Sequence, residues 1–132
     1  MSSEVVWNVV KKNSAFMKKQ KQGSKVTMFS TDKLNVTNYY TPKYMGICQK
    51  RAVGVNCEGK HIMLSIKSTK HTVKPCKMVH KAHVKRAASV AKEVGVVNVD
   101  KWKVSKGSYR PSLEAAAVAR YNTLDRALRR SH

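Results

Sequence analysis

The clearest pattern of apolar and polar positions lies in the middle of the chain, in the segment HIMLSIKS (61–68). Ile62, Leu64 and Ile66 occupy every second position there, and a period of two is typical of a strand with one buried face. The preceding segment KYMGICQKRAVGVNC (43–57) also contains several residues that favour strands. The pattern therefore predicts that these two segments pair as an antiparallel hairpin.

Three glycines refine this hairpin. Gly59 lies between the two segments, and it can supply the positive φ that a tight turn requires. Gly46 and Gly54 lie within the first segment, where a glycine marks either a β-bulge or a close approach of two backbones.

The pattern changes from alternation to helical spacing after His71. Pro75 and Gly95 are start and stop signals, and for residues 76–95 between them we predict one basic amphipathic helix. Its apolar positions follow a rough helical spacing: Val79, Ala82, Val84, Ala87, Ala88, Ala91 and Val94.

A second helix is predicted over residues 109–130. Pro111 suits a first helical turn, and the alanines at 115–117 are strong helix formers. One face carries the apolar residues Leu113, Ala117, Tyr121, Leu124 and Leu128. On an idealised wheel Arg120 falls inside this apolar arc, which makes it the anomalous residue of the helix.

The first thirty residues are less decisive. The segment VVWNVVKK (5–12) fits a helix capped by Ser2 or Ser3, but its β-branched valines suit a strand equally, and both assignments stay open. Residues 14–18 are predicted as a strand that runs into a basic loop, QKQGSK (20–25).

Together these elements predict one small α+β domain over residues 1–132. Residues 1–70 would supply the N-terminal element, the strands and the hairpin, and residues 96–108 a basic connector between the helices. We expect a small antiparallel sheet built around the central hairpin, with helices packed on it and basic loops projecting. Trp7, Phe16 and Tyr44 are expected in the core, and Trp102 at the surface.

The charge of the chain points to a partner. It has 27 Lys and Arg residues against 7 Asp and Glu, a formal net charge of +20. Residues 5–31 contain six lysines and no acid, and residues 59–92 contain nine Lys and Arg and no acid. A surface that repels itself this strongly favours a polyanionic partner, and nucleic acid is the first expectation.

Several other classes are not expected. No segment approaches the roughly 18–20 apolar residues that span a bilayer, so a membrane protein is not predicted. The N-terminus lacks the basic and apolar regions of a secretion signal. The acids are scattered singly, and no Walker loop, HExxH or nucleophile elbow is present, so we expect neither catalytic residues nor a small-molecule substrate.

The three cysteines do not predict a disulfide framework, because their number is odd and their spacing wide. The alternative is a zinc site that combines Cys57 and Cys76 with His80 and His83. Because no CxxC pair is present, we expect reduced thiols, no metal and no cofactor.

Four stretches carry a resemblance to a known family. Tyr109-Arg110-Pro111-x-Leu113, with Ala116, Ala117 and Arg120 downstream, is similar to the C-terminal motif of the eukaryote-type large-subunit ribosomal protein twenty-eight family. The stretch from Lys43-Tyr44-Met45-Gly46-Ile47 through Lys50-Arg51 to Val53-Gly54-Val55 resembles the same family in order and spacing. Trp7-x-Val9-Val10 followed by Ser14-x-Phe16, and then Phe29-Ser30-Thr31-Asp32, extend the resemblance over most of the chain.

This resemblance implies a structural constituent of the large subunit of the eukaryotic cytosolic ribosome. The expected partners are the ribosomal RNA of that subunit and neighbouring ribosomal proteins. The expected location is the cytoplasmic ribosome, with nucleolar transit during assembly. A ribosome-assembly factor or another basic nucleic-acid-binding protein is the alternative.

Folded RNA presents dense phosphates and unstacked bases, which dispersed cations and aromatic rings recognise. The basic segments hold the candidate RNA-binding residues together with aromatic neighbours such as Tyr39, Tyr40 and Tyr44. These candidates are Lys18, Lys19, Lys21, Lys25, Lys43, Lys50, Arg51, Lys74, Lys77, Lys81, Lys85, Arg86, Lys103, Lys106, Tyr109, Arg110 and Arg120.

Arg120 has three routes by which its charge can be satisfied. Its guanidinium can reach the edge of the core, pair with Glu114 or Asp125, or bind phosphate. The two acids lie six and five residues away, which is poor spacing for a pair on one helix. We therefore expect Arg120 to face RNA, so that replacing it by Met would weaken RNA binding and leave stability nearly unchanged.

Overall fold

A computed structural model describes residues 2–71, 73–95 and 109–131 of the chain. The helices are α1 (Ser3–Val10), α2 (Pro75–Met78), α3 (Ala87–Gly95) and α4 (Glu114–Arg130), and a 3-10 turn, Pro111–Leu113, leads into α4. The strands are β1 (Met17–Gln22), β2 (Lys25–Ser30), β3 (Val53–Glu58), β4 (His61–Lys67) and β5 (Val79–His83). The predicted connector 96–108, with Lys103, Lys106 and Trp102, lies outside the described residues.

The predicted central hairpin is confirmed. Strands β3 and β4 pair antiparallel, with Val55 opposite Leu64, and Gly59 turns the chain between them at a φ of +63°. Strand β5 pairs antiparallel with the other edge of β4, which gives a three-stranded sheet in the order β3-β4-β5. The α+β class predicted from the sequence is therefore correct.

Helix α4 packs on one face of this sheet, against β3 and β4, and α3 packs against α4. The alternating residues of β3 and β4 meet the apolar stripes of the two helices there, and the resulting core excludes water from a continuous apolar surface. Its buried members are Val36, Val53, Val55, Ile62, Leu64, Val84, Val90, Val94, Leu113, Ala117 and Tyr121, with Leu124 and Leu128 packed at its margin. The apolar face predicted for the C-terminal helix is thus the face that packs.

The single helix predicted for residues 76–95 is wrong. The interval begins with the one-turn helix α2, continues as strand β5 and becomes helical again only at Ala87. The free edge of β4 explains the difference, because residues 79–83 pair with it from Lys67 opposite Val79 to Met63 opposite His83. The start and stop signals were sound, since α2 begins at Pro75 and α3 ends at Gly95.

A second, smaller core lies under the N-terminal segment, where the choice between helix and strand is resolved as helix α1. Tyr40, Met45 and Cys48 are buried in it, and Trp7 of α1 packs against Tyr40 with ring centroids 5.5 Å apart. The Tyr40 hydroxyl also bonds to Val10 O at the end of α1. These contacts anchor an eight-residue helix that would be marginal by itself.

The predicted basic loop 20–25 is a β-hairpin instead. Strands β1 and β2 continue the pairing to Gln22 opposite Lys25, and Gly23, with a φ of +61°, forms the turn with Ser24. The sequence hides this hairpin because both faces carry polar residues. Phe16, expected in the core, is 36% exposed beside it.

Gly46 and Gly54 mark close backbone approaches. A Cβ atom on Gly54 would lie 1.9 Å from Lys33 O, and one on Gly46 would lie 2.5 Å from Leu34 Cβ. Because neither glycine has a side chain, the loop over residues 31–38 can pack directly against β3 at Gly54 and against the segment before β3 at Gly46.

We predict that Gly54→Ala lowers the free energy of unfolding by about 3 kcal/mol, because the new methyl group displaces a backbone carbonyl. Gly59→Asn is the control, since a Cβ there meets no atom within 4 Å and Asn tolerates a positive φ. Urea unfolding of both variants measures the difference. Equal and small losses would show that the loop can shift at no cost.

Candidate nucleic-acid interface

The hairpin β1–β2 presents four of the predicted RNA-binding lysines to solvent. Lys18, Lys19, Lys21 and Lys25 are all exposed, and within the described residues none of their ammonium groups makes a hydrogen bond or an ion pair. The register places Lys19 and Lys21 on one face, opposite Met28 and Val26. Because successive residues of a strand point to opposite faces, Lys18 and Lys25 belong to the other face.

A second group of cations surrounds a cleft beside the start of α1. The cleft has a volume of about 300 Å³ and is lined by Ser3, Gln49, Lys50, Arg51 and Arg110. Arg110 donates hydrogen bonds to Arg51 O at 2.9 Å and to Lys43 O at 2.7 Å. Desolvation lowers the pKa of Arg110 from its ordinary value. The structure thus gathers Lys50, Arg51 and Arg110 around one cleft, with Lys43 adjoining it.

Tyr109 fixes this cleft to the sheet. Its hydroxyl donates to Lys67 O at 2.6 Å and accepts from the Ala52 N–H at 3.1 Å, and the Arg51 guanidinium lies 5.7 Å from the centre of its ring. Burial raises the pKa of Tyr109 to about 12. The hydroxyl of Tyr109 therefore has a structural role, and RNA contact by its ring stays a prediction.

The third group lies along α2, β5 and the turn that follows. These residues are exposed: Lys74, Lys77, Lys81, Lys85 and Arg86. Lys81 forms an ion pair with Glu58 of β3, and the hydrogen bond from Lys81 lowers the pKa of Glu58. Lys81 is therefore partly compensated within the protein, whereas RNA contact by this group stays a prediction.

Arg120 takes a route that was not among the three expected. Its Nε donates to Val55 O at 2.6 Å, its Nη1 to Val36 O at 3.0 Å, and its Nη2 meets Asn56 Oδ1 at 3.4 Å. Desolvation lowers its pKa from the ordinary value. The guanidinium turns inward and joins α4 to β3 and to the loop before it, so the geometry does not support the expectation that it faces RNA.

Lys67 was not singled out from the sequence, because a lysine on a strand predicts a solvated side chain. Its ammonium group donates to Gly46 O at 2.9 Å and to Gln49 O at 3.0 Å. Desolvation lowers its pKa, while the nearby Asp32 carboxylate opposes that shift. Lys67 thereby holds the turns over residues 43–50 against the sheet, beneath the cationic cleft.

The residues of the alternative zinc site are not brought together. Among residues 2–71, 73–95 and 109–131, no group of three His, Cys, Asp or Glu side chains is arranged to hold a metal ion. Cys57 and Cys76 are exposed, whereas Cys48 is buried, and this burial raises the pKa of its thiol.

None of the helices in residues 2–71, 73–95 and 109–131 has both the length and the apolar character needed to cross a membrane.

Comparison with known proteins decides the family. A family model described as the Ribosomal L28e protein family matches residues 5–127. This chain belongs to that family. The match includes both hairpins, the cations of the cleft and most of α4, so the resemblance carried by the four sequence stretches is confirmed.

Three relatives in the Ribosomal L28e family are each named "Large ribosomal subunit protein eL28". The protein of Caenorhabditis elegans is 39% identical over 70 residues, which cover 53% of this chain and 54% of that protein. The protein of Dictyostelium discoideum is 29% identical over 133 residues, covering 98% and 90%. The protein of Schizosaccharomyces pombe is 24% identical over 126 residues, covering 94% and 90%.

The family gives the coarse function. Members of the Ribosomal L28e family are structural proteins of the large ribosomal subunit and take part in translation. This is a structural rather than a catalytic class of protein.

We predict that Arg120→Met lowers the free energy of unfolding by about 2 kcal/mol, because Val36 O and Val55 O lose charge-assisted hydrogen bonds. Arg126→Met on the exposed side of the same helix should change it by less than about 0.5 kcal/mol. Urea unfolding at neutral pH compares the two. Unchanged stability of Arg120→Met, with weaker RNA binding, would return Arg120 to the role expected from the sequence.

We predict that Tyr109→Phe costs about 1–2 kcal/mol at neutral pH, since the Ala52 N–H loses its acceptor. A raised pKa means that folding favours the protonated phenol, so this contribution is complete below about pH 10 and disappears as the pH rises towards 12. The variant should therefore lose less stability than the parent over that interval.

Tyr39→Phe is the control, because the Tyr39 hydroxyl makes no hydrogen bond within the described part of the chain. Unfolding curves at neutral and alkaline pH would contradict the assignment if Tyr109→Phe and the parent protein showed the same pH dependence.

Proposed function

We propose that this protein is a ribosomal-RNA-binding structural constituent of the large subunit of the eukaryotic cytosolic ribosome. The observation that carries the proposal is the pair of exposed cationic surfaces, one on the hairpin β1–β2 and one around the cleft at Arg51 and Arg110, in a member of the Ribosomal L28e family. Its partners would be the RNA of that subunit and neighbouring ribosomal proteins.

The way the acids are used supports this proposal. Asp32 accepts hydrogen bonds from the backbone N–H groups of Leu34 and Gly46 at 3.0 and 3.2 Å, so its charge serves the loop. Glu58 and Asp125 are each paired with a neighbouring cation. These three carboxylates are already engaged, and within the described part of the chain no acid forms an ion pair with a lysine of the hairpin β1–β2.

The shapes of the two surfaces also suit folded RNA. The hairpin is a narrow two-stranded ribbon with lysines on both faces, so it can contact phosphates on either side. The cleft offers guanidinium groups whose backbone partners fix their direction, and such groups bind phosphate in a defined geometry. Together the hairpin and the cleft favour insertion between two RNA segments over recognition of base edges in the groove of a single duplex.

The proposal predicts a steep dependence of binding on salt. For a fragment of large-subunit RNA, the logarithm of the association constant should fall against the logarithm of salt concentration by about 0.7–0.9 per phosphate contacted. Replacing Lys18, Lys19, Lys21 and Lys25 by Gln should make that slope shallower by about three. Filter binding at several salt concentrations measures both slopes.

A variant of equal charge change is the control. It replaces Lys60, Lys92, Arg126 and Arg130, which are exposed residues outside the candidate set, by Gln. If both variants changed the slope equally, net charge rather than the hairpin would govern binding. Binding that hardly changed with salt would refute the electrostatic basis of the proposal.

Sucrose-gradient fractionation separates this function from that of an assembly factor. A structural constituent would co-sediment with mature large subunits and polysomes in the cytoplasm after nucleolar transit. An assembly factor would be found with precursor particles and would be absent from polysomes.

A further inference from the structure

A stacked pair of aromatic rings lies at the base of the basic hairpin. The rings of Phe29, in β2, and Tyr39 have centroids 5.7 Å apart and planes inclined by 25°. The backbones of Phe29 and Tyr39 form an isolated antiparallel bridge. Tyr39 therefore pairs with the edge of β2 that does not face β1. The two rings therefore form a stacked pair, in which one face of the Tyr39 ring lies against Phe29.

The loop that carries Tyr39 is held by its own hydrogen bonds. Asn35, which is 1% exposed, donates from Nδ2 to Tyr39 O at 2.9 Å and accepts from the Asn38 N–H at 2.9 Å. Ser30 N donates to Asn38 O at 2.6 Å, and Tyr40 N donates to Met28 O at 3.2 Å. The ring of Tyr39 is thus positioned before any ligand arrives, which limits the entropy lost on binding.

Tyr39 is the most exposed aromatic residue in the part of the chain that the structure describes. Tyr39 is 51% exposed, whereas Tyr40 and Tyr121 are 6% and 5% exposed in the two cores. The hydroxyl of Tyr40 bonds to Val10 O, but the Tyr39 hydroxyl makes no hydrogen bond within the described residues. Phe29 covers one face of the Tyr39 ring, and solvent meets the rest.

A lysine completes this surface. Lys18 lies directly opposite Phe29 in the register of the hairpin, so Lys18, Phe29 and Tyr39 form one row across three adjacent backbones. Lys19, the next residue, points to the opposite face of the ribbon. The row therefore combines one exposed cation with two stacked rings.

We infer that the row Lys18–Phe29–Tyr39 is a stacking site for an unpaired base of single-stranded RNA, with Lys18 on the adjacent phosphate. This inference rests on the proposed function and deepens it, since it names the kind of RNA that the hairpin binds. A base inside a duplex is covered on both faces by its neighbours, so a solvent-exposed ring can stack only on a base that has left the helix.

The charge around the row favours RNA over a protein as the occupant. Residues 5–31, which include Lys18 and Phe29 of the row, contain six lysines and no acid. An aromatic surface within such a positive field attracts an anionic ligand that also has a flat apolar face. A nucleotide has both properties, because its phosphate carries the charge and its base provides the π-face.

The test compares three RNAs of equal phosphate number with the full-length protein. They are a single-stranded oligouridine, the same strand with abasic ribose at its central positions, and a duplex. Fluorescence anisotropy should show that the base-containing single strand binds roughly ten- to a hundredfold more tightly than the abasic strand. This comparison within the parent protein needs no variant.

Variants then assign the preference to the row. Tyr39→Leu should abolish the preference for base over abasic RNA while leaving affinity for the abasic strand unchanged, and Tyr39→Phe should keep it. Ile47→Ala removes another exposed apolar side chain and should have no effect. Lys18→Gln should weaken binding of the base-containing strand more than Lys19→Gln, although both remove one charge from adjacent positions.

The outcomes separate this inference from the proposed function. Equal binding of the abasic and base-containing strands, or an unchanged preference in Tyr39→Leu, would overturn the stacking site and leave phosphate binding intact. If the protein bound none of the three RNAs, the proposed function itself would fail. If Tyr39→Leu bound all three RNAs as the parent does but no longer joined the large subunit, the row would be a protein-docking surface and the inference would be wrong.

Discussion

Half-buried cations satisfied by backbone carbonyl oxygens are the constraint on which this structure depends. Lys67 binds Gly46 O and Gln49 O, Arg110 binds Lys43 O and Arg51 O, and Arg120 binds Val36 O and Val55 O. Each of them joins segments that are distant in sequence. A hydrogen bond from a charged donor contributes about 1.5–3 kcal/mol, and a chain with so few acids has little else with which to satisfy such donors.

This arrangement has a consequence for function. A carboxylate would neutralise a buried cation, but a carbonyl oxygen satisfies its N–H groups and leaves the positive charge in place. Arg110 therefore adds to the field of the cleft that it helps to build, beside Lys50 and Arg51. The hydrogen bonds that hold the fold together thus leave the surface positive, which suits the proposed binding of ribosomal RNA.

The sequence predicted those parts of the fold that local patterns determine. Alternation at residues 61–67 and Gly59 determined the central hairpin, and the apolar stripe from Leu113 to Leu128 determined which face of α4 packs. Strand β5 could not be predicted in this way, since residues 79–83 become a strand only because an edge of β4 is available. The basic hairpin was missed for a related reason, because both of its faces meet solvent and no buried face imposes alternation.

The sequence predicted which cations the candidate site contains, but not which of them turn inward to hold the fold and which face solvent. The helical wheel placed Arg120 towards the core correctly, but a wheel cannot show that the carbonyls of Val36 and Val55 are presented at that point. Nor could the sequence show that Lys67 turns inward while the lysines of the hairpin turn outward. That distinction arises from contacts between segments far apart in the chain.

Lysine acetylation tests most directly whether the hairpin lysines face a partner while Lys67 serves the fold. It is measured by mass spectrometry on the free protein and on the protein within large subunits. The ratio of free to bound labelling rates removes the intrinsic reactivity of each amine. We expect the ratio to rise well above one for Lys18, Lys19, Lys21 and Lys25, which RNA would cover, and to stay near one for Lys67, whose partners lie within the protein. A ratio near one for the hairpin lysines, or equal protection of Lys67, would contradict the account.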